Sequence, residues 1–71
     1  MKNLFAKRLK ECRMAKGLTQ KQFAEEIGYT RSHVNNWETR GTQPDYDTLI
    51  IIAKYFNETV DYMLGLDDIE L

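Results

Sequence analysis

The stretch Thr30 to Glu38, TRSHVNNWE, restricts the possible folds of this chain more than any other segment. Taken as a helix, it has apolar side chains only at Val34 and Trp37, three residues apart and therefore on one side. Arg31, Ser32, His33, Asn35 and Asn36 all carry hydrogen-bonding groups. Such a helix is fastened at two points and displays the rest of its surface. Ahead of it, Gln20 to Ile27 reads as a shorter amphipathic helix, and only Gly28, Tyr29 and Thr30 separate the two. The expected unit is two helices joined by a tight turn, the second with its polar side facing outward.

The remaining chain reads as support for that unit. Apolar Phe5, Leu9 and Cys12, at spacings of four and three, predict an amphipathic helix from about Asn3 to Lys16, with Lys7, Lys10 and Lys16 off its apolar face and Gly17 ending it. Cys12 lies on the apolar face and reads as a small buried hydrophobe. Thr19 followed by Gln22 has the spacing of a capping box for the next helix, whose inward face is Phe23, Ala24 and Ile27. The first amides of that helix, at Gln20 and Lys21, make a natural seat for a phosphate. Gly28 suits a left-handed exit, Thr30 caps the third helix and Glu38 closes it. Thr39 to Pro44, TRGTQP, reads as a loop. Asp45 or Asp47 can cap a fourth helix with Leu49, Ile52, Ala53 and Phe56 as its core face, and Ile50, Ile51 and Tyr55 on its flanks. The β-branched LIII would also suit a strand, but it is short and leads directly into the helical pattern of IAKYF. Asn57 is a plausible left-handed helix end, and Thr59 caps a short fifth helix, Val60 to Leu64, stopped by Gly65. The expected fold is all-α: five helices forming one domain over residues 1–65, followed by a short acidic and apolar tail, 66–71.

Charge is distributed unevenly. Met1 to Gly41 holds nine Lys and Arg against four Glu, whereas Thr42 to Leu71 holds one Lys against seven Asp and Glu, so a net charge of -1 hides a basic half and an acidic half. The basic half can face phosphates while the acidic half keeps the opposite surface soluble. One cysteine and one histidine provide neither an internal disulfide nor a metal-binding cluster, and they fit the reducing cytoplasm. The longest apolar run, Leu49 to Ala53, is far below the ~18 residues needed to span a bilayer. Catalysis is not expected: His33 has no evident carboxylate to orient it, and a chain of 71 residues is too short to enclose a substrate. No cofactor is implied. The polar side of the third helix is best suited to reading double-stranded DNA.

The string LTQKQFAEEIGYTRSHVNNWE, with a Pro-led fourth helix and a closing VDYMLG, resembles the helix-turn-helix domain of the Cro and lambda-repressor-like family, also called the Xre family of bacterial and phage regulators. The likeness runs from about Phe5 to Gly65. It implies that Arg31, Ser32 and Asn36 reach base edges in the major groove, with His33 and Asn35 beside them touching bases or backbone. It also implies that Gln20 holds a phosphate and helps to read the outermost base. Thr19 and Lys21 flank that contact, and Thr39, Arg40, Thr42 and Gln43 correspond to a loop that grips the far backbone. A structural ion pair between Arg13 and Glu38 is implied as well. Independent of the resemblance, Arg pairs two ways with guanine and Asn two ways with adenine, so guanine is expected opposite Arg31 and adenine opposite Asn36. Three positions depart from the family pattern: Gly41 sits one place late, Glu58 replaces an apolar residue, and Trp37 replaces an aliphatic one.

One reading helix covers few base pairs, so a homodimer on a palindromic operator is expected, formed mainly on the DNA itself. Thr59, Tyr62, Leu66 and Ile69 are its expected contacts, with Tyr55 near them. Repression by occupying the operator is the expected mode of action. Two alternatives remain open: a protein-interaction module of the same fold, such as an antitoxin or anti-regulator, and the DNA-binding part of a longer repressor.

Overall fold

Four of the five helix starts use the same device, an oxygen-bearing side chain that accepts a hydrogen bond from the amide three residues ahead. Thr19 accepts from Gln22, Thr30 from His33, Asp45 from Thr48 and Thr59 from Tyr62. The computed structural model describes residues 3–66, and among these the helices are α1 Phe5–Ala15, α2 Gln20–Ile27, α3 Arg31–Thr39, α4 Tyr46–Tyr55 and α5 Val60–Leu64, with no strand. The LIII segment lies wholly inside α4. Of the two candidate aspartates, Asp45 is the cap. Its carboxylate takes the Thr48 amide at 2.8 Å, and these bonds hold its pKa below the ordinary carboxylate value.

Two boundaries move relative to the sequence reading. α1 begins at Phe5, because Asn3 stays outside the helix and its Oδ1 accepts from the Phe5 amide at 3.0 Å. α3 runs one residue past Glu38, and the Thr39 hydroxyl donates back to the Asn35 carbonyl at 2.7 Å. Thr39 is thus the last residue of a helix and not the first of a loop.

The core is drawn from every helix: Phe5 and Leu9, Phe23 and Ala24, Val34 and Trp37, Leu49, Ile52 and Ala53, then Phe56 and Met63. The 3.6-residue spacing of these positions turns each apolar stripe toward one centre. Phe23 stacks on Phe56 with ring centroids 5.0 Å apart, which fastens α2 to the end of α4. Cys12 and Ile27 are only partly buried at the margin of this core. The partial burial that Cys12 does have strips water from its thiol and, together with nearby Glu58 and Glu11, raises its pKa and disfavours the thiolate. Ile50 and Ile51 lie outside the core, while Glu58 faces solvent. Asn57 is left-handed at φ 56°, ending α4 as its residue type suggests. No helix among the described residues is long and apolar enough to cross a membrane.

Candidate nucleic-acid interface

The turn between α2 and α3 sets the angle of the site. Gly28 leaves α2 with φ 79°, a left-handed value open to glycine, and Tyr29 follows with its amide bonded to the Ala24 carbonyl at 2.8 Å. Tyr29 is the anchor that the sequence reading passed over. Its hydroxyl bonds the buried Thr48 hydroxyl on α4, and its ring meets Trp37 edge-on at 5.2 Å and His33 at 5.1 Å. No local pattern marks that role, because Thr48 lies 19 residues further along the chain.

On α3, Val34 and Trp37 are 0% and 4% exposed, so one side of the helix is fixed in the core. Helical spacing places Arg31, Ser32, Asn35, Asn36 and Thr39 on the opposite side. Arg31, Ser32 and Thr39 are exposed there, and Asn35 and Asn36 half-buried. His33 is different. Its Nδ1 accepts from the Thr30 amide at 3.4 Å and lies 2.8 Å from the Thr30 hydroxyl, completing a capping box that ties the side chain to the helix start.

Beneath the polar face runs a linked set of charged and amide groups. Arg13 of α1 grips Glu38 with two bonds, Nε to Oε2 at 2.8 Å and Nη2 to Oε1 at 3.0 Å, while its Nη1 donates to the Leu18 carbonyl at 2.7 Å. The pair is buried, with side-chain exposures of 11% and 1%. A buried charge needs such partners, and the two-pronged geometry matches guanidinium to carboxylate. Gln20, the first residue of α2, extends the set: its Nε2 donates to Glu38 Oε1 at 3.2 Å and to Asn35 Oδ1 at 3.4 Å. The structure thus brings Arg13, Glu38, Gln20 and Asn35 into one cluster that joins three helices. The Gln20 links were not readable in the sequence.

The expected backbone-contact residues flank this face. At the start of α2 the reciprocal Thr19–Gln22 box satisfies the Thr19 and Gln22 amides, and the Gln20 and Lys21 amides lie between them at the open helix end. Lys21 is exposed beside them. Beyond α3, Arg40 is the helix C-cap, and Gly41 turns the chain with φ 72°. Thr42 and Gln43 follow, exposed, and line a hollow of about 220 Å³ with Asn3, Phe5, Ala6 and Trp37. Of the expected dimer contacts, Thr59 is exposed as the α5 cap and Leu66 is 48% exposed. Tyr62 is half-buried with one ring face under the Arg8 guanidinium, 4.2 Å from the ring centroid. Ile69 lies outside the described residues.

Two capped helices joined across a left-handed glycine, the second with an anchored side and a polar side, define a helix-turn-helix module. The family model described as helix-turn-helix matches residues 9–63, and the chain belongs to that family, the Cro and lambda-repressor-like or Xre group of regulators. It is 40% identical over 63 residues to the HTH-type transcriptional regulator ImmR of Bacillus subtilis, covering 89% of this chain and 50% of that protein. To the HTH-type transcriptional activator BcrR of Enterococcus faecalis it is 32% identical over 65 residues, 92% of this chain and 32% of that one. A crystal structure of a transcriptional regulator from Listeria innocua superposes with a TM-score of 0.84 at 29% identity, covering 92% of this chain and 61% of its own. The chain spans about half the length of several of the curated relatives it matches.

Proposed function

We propose that this chain is a sequence-specific binder of double-stranded DNA that regulates transcription, with α3 lying in the major groove. The observation that carries this reading is the division of α3 into a side locked in the core and a side of unburied hydrogen-bonding groups. Arg31, Ser32 and Asn36 serve as base readers, with Gln20 beside them. Arg31 suits the two acceptors of guanine, and Asn36 the acceptor and donor of adenine, each pairing being worth about 1–3 kcal/mol of discrimination. Thr19 and Lys21 contact the backbone on one side of the groove, and Thr39, Arg40, Thr42 and Gln43 on the other. Because Thr39 is helical, its contact is made from the end of α3, with the loop grip beginning at Arg40.

Regulation is by occupancy in the cytoplasm. Occupying the operator is enough to block polymerase, whereas activation needs a positioned contact with it. Two copies occupy half-sites about one helical turn apart, assembling on the duplex through the exposed Thr59 and Leu66 and the open edge of Tyr62. Sedimentation with an operator duplex is expected to give two chains per duplex, and one chain at every concentration would remove the dimer from the account.

Selection from a random duplex library tests the base assignments. The parent is expected to select a palindrome, while Arg31→Ala and Asn36→Ala each flatten one position and its symmetry mate. Unchanged preferences in both variants would show that neither residue reads DNA.

A further inference from the structure

We propose that Asn35 is a further specificity-determining residue, and that the Arg13–Glu38–Gln20 chain fixes its amide so that only hydrogen-bond donors face the DNA. This inference rests on the major-groove placement of α3 proposed above.

Hydrogen-bond polarity passes from group to group. Arg13 can only donate, and it holds the Glu38 carboxylate, which can only accept. The Gln20 atom 3.2 Å from Glu38 Oε1 must therefore be the nitrogen and not the oxygen. That nitrogen has two hydrogens, and the second is directed at Asn35, 3.4 Å away, so the Asn35 atom facing it must be its oxygen. With Oδ1 turned toward α2, Nδ2 takes the other branch of the planar amide, on the polar side of α3.

A free asparagine pairs with adenine by using its oxygen and nitrogen together. Asn35 cannot do so while its oxygen is directed at Gln20. Its two outward hydrogens match the paired acceptors of guanine, or the single O4 acceptor of thymine, and are opposed by the N4 donor of cytosine. The residue thus reads the distribution of acceptors along the groove. Its selectivity is set by a buried ion pair that never touches DNA. Asn36, one residue on, has no such bond from Gln20 and retains both functions of its amide.

Selection from a random duplex library with the full chain, comparing the parent with Asn35→Ala, Asn35→Asp and Gln20→Met, tests the proposal. The parent is expected to prefer guanine or thymine over cytosine by about tenfold at one position per half-site, the scale of a single good base contact. Asn35→Ala flattens that position alone. Asn35→Asp accepts from Gln20 with one oxygen and presents the other, so the preference inverts toward cytosine or adenine. Gln20→Met frees the amide to rotate, and adenine joins the accepted bases at the same position. If Asn35→Ala instead weakens binding equally at all positions, Asn35 contacts only the backbone and the proposal fails. If Gln20→Met leaves the base preference at that position unchanged, whatever it does to overall affinity, Gln20 does not set the Asn35 amide and the proposal fails. If the parent selects adenine at that position, the polarity argument is wrong although the DNA reading stands. A parent that selects no sequence overturns the DNA reading and this inference with it.

Discussion

Glu38 illustrates how much one residue can organise. Its carboxylate accepts from Arg13 twice and from Gln20 once while almost entirely buried. Replacing one member of such a pair strands the other charge away from water, which costs about 3–5 kcal/mol, a large share of the stability of a domain this small. Urea denaturation of Glu38→Gln is expected to show that loss, and a midpoint equal to the parent's would contradict it. Asp45 gives a smaller, pH-dependent case. Its pKa is lower in the folded chain, because the Thr48 hydrogen bonds favour the carboxylate. The cap therefore adds stability above the ordinary aspartate pKa and loses it as pH falls through the lowered folded value. Asp45→Asn should show a shallower decline in stability on acidification than the parent, measured by thermal melts from neutral to acid pH. The three threonine caps were legible in sequence because a cap is local chemistry at a fixed spacing, whereas the fourth cap was narrowed only to Asp45 or Asp47, which the same local chemistry allows equally. The Arg13–Glu38 pairing came from family resemblance, since nothing local joins residues 25 apart. The bonds from Gln20 to Glu38 and Asn35 had no sequence signal at all, because they depend on how closely α2 crosses α3.

At the scale of elements, the glycines that end helices differ in what surrounds them. Gly28 has φ 79°, and a Cβ added there would meet nothing within 4 Å, so Gly28→Ala costs only the left-handed backbone penalty, about 1–2 kcal/mol. Gly65 has φ 84°, and its added Cβ would lie 2.7 Å from Leu4 Cγ. The Leu4 amide also bonds the Leu64 carbonyl at 3.0 Å, holding the chain entrance against α5. Gly65→Ala must therefore displace Leu4 as well as strain the backbone, and is expected to lose more stability than Gly28→Ala in matched urea titrations. An equal loss would show that Leu4 moves aside freely. Helix identities and core faces were legible because apolar residues recur at the helical period. The end of α3 was not: Thr39 joins the helix by bonding its hydroxyl to the Asn35 carbonyl, whereas TRGTQP reads by composition as loop throughout. The anchoring of Tyr29 by Thr48 was equally invisible, since it depends on where α4 crosses the turn.

For the whole molecule, the separation of charge along the sequence acquires a direction in the fold. Exposed Lys21 flanks the start of α2, and exposed Arg31 and Arg40 lie at the two ends of α3, so basic side chains border the polar face. Exposed Asp45, Asp47, Glu58 and Asp61 belong to the segments around α4 and α5. Basic side chains so placed favour a polyanion at the polar face of α3, and a chain that binds one there releases counterions. The most direct test of the central claim, that α3 and its basic flanks grip duplex DNA, is affinity for a selected duplex measured by fluorescence anisotropy across a salt series. Log affinity is expected to fall linearly with log salt, and Lys21→Ala and Arg40→Ala should each lower the slope by about 1 while leaving base preference unchanged. Affinity that does not change with salt, or slopes in both variants equal to the parent's, would contradict the account.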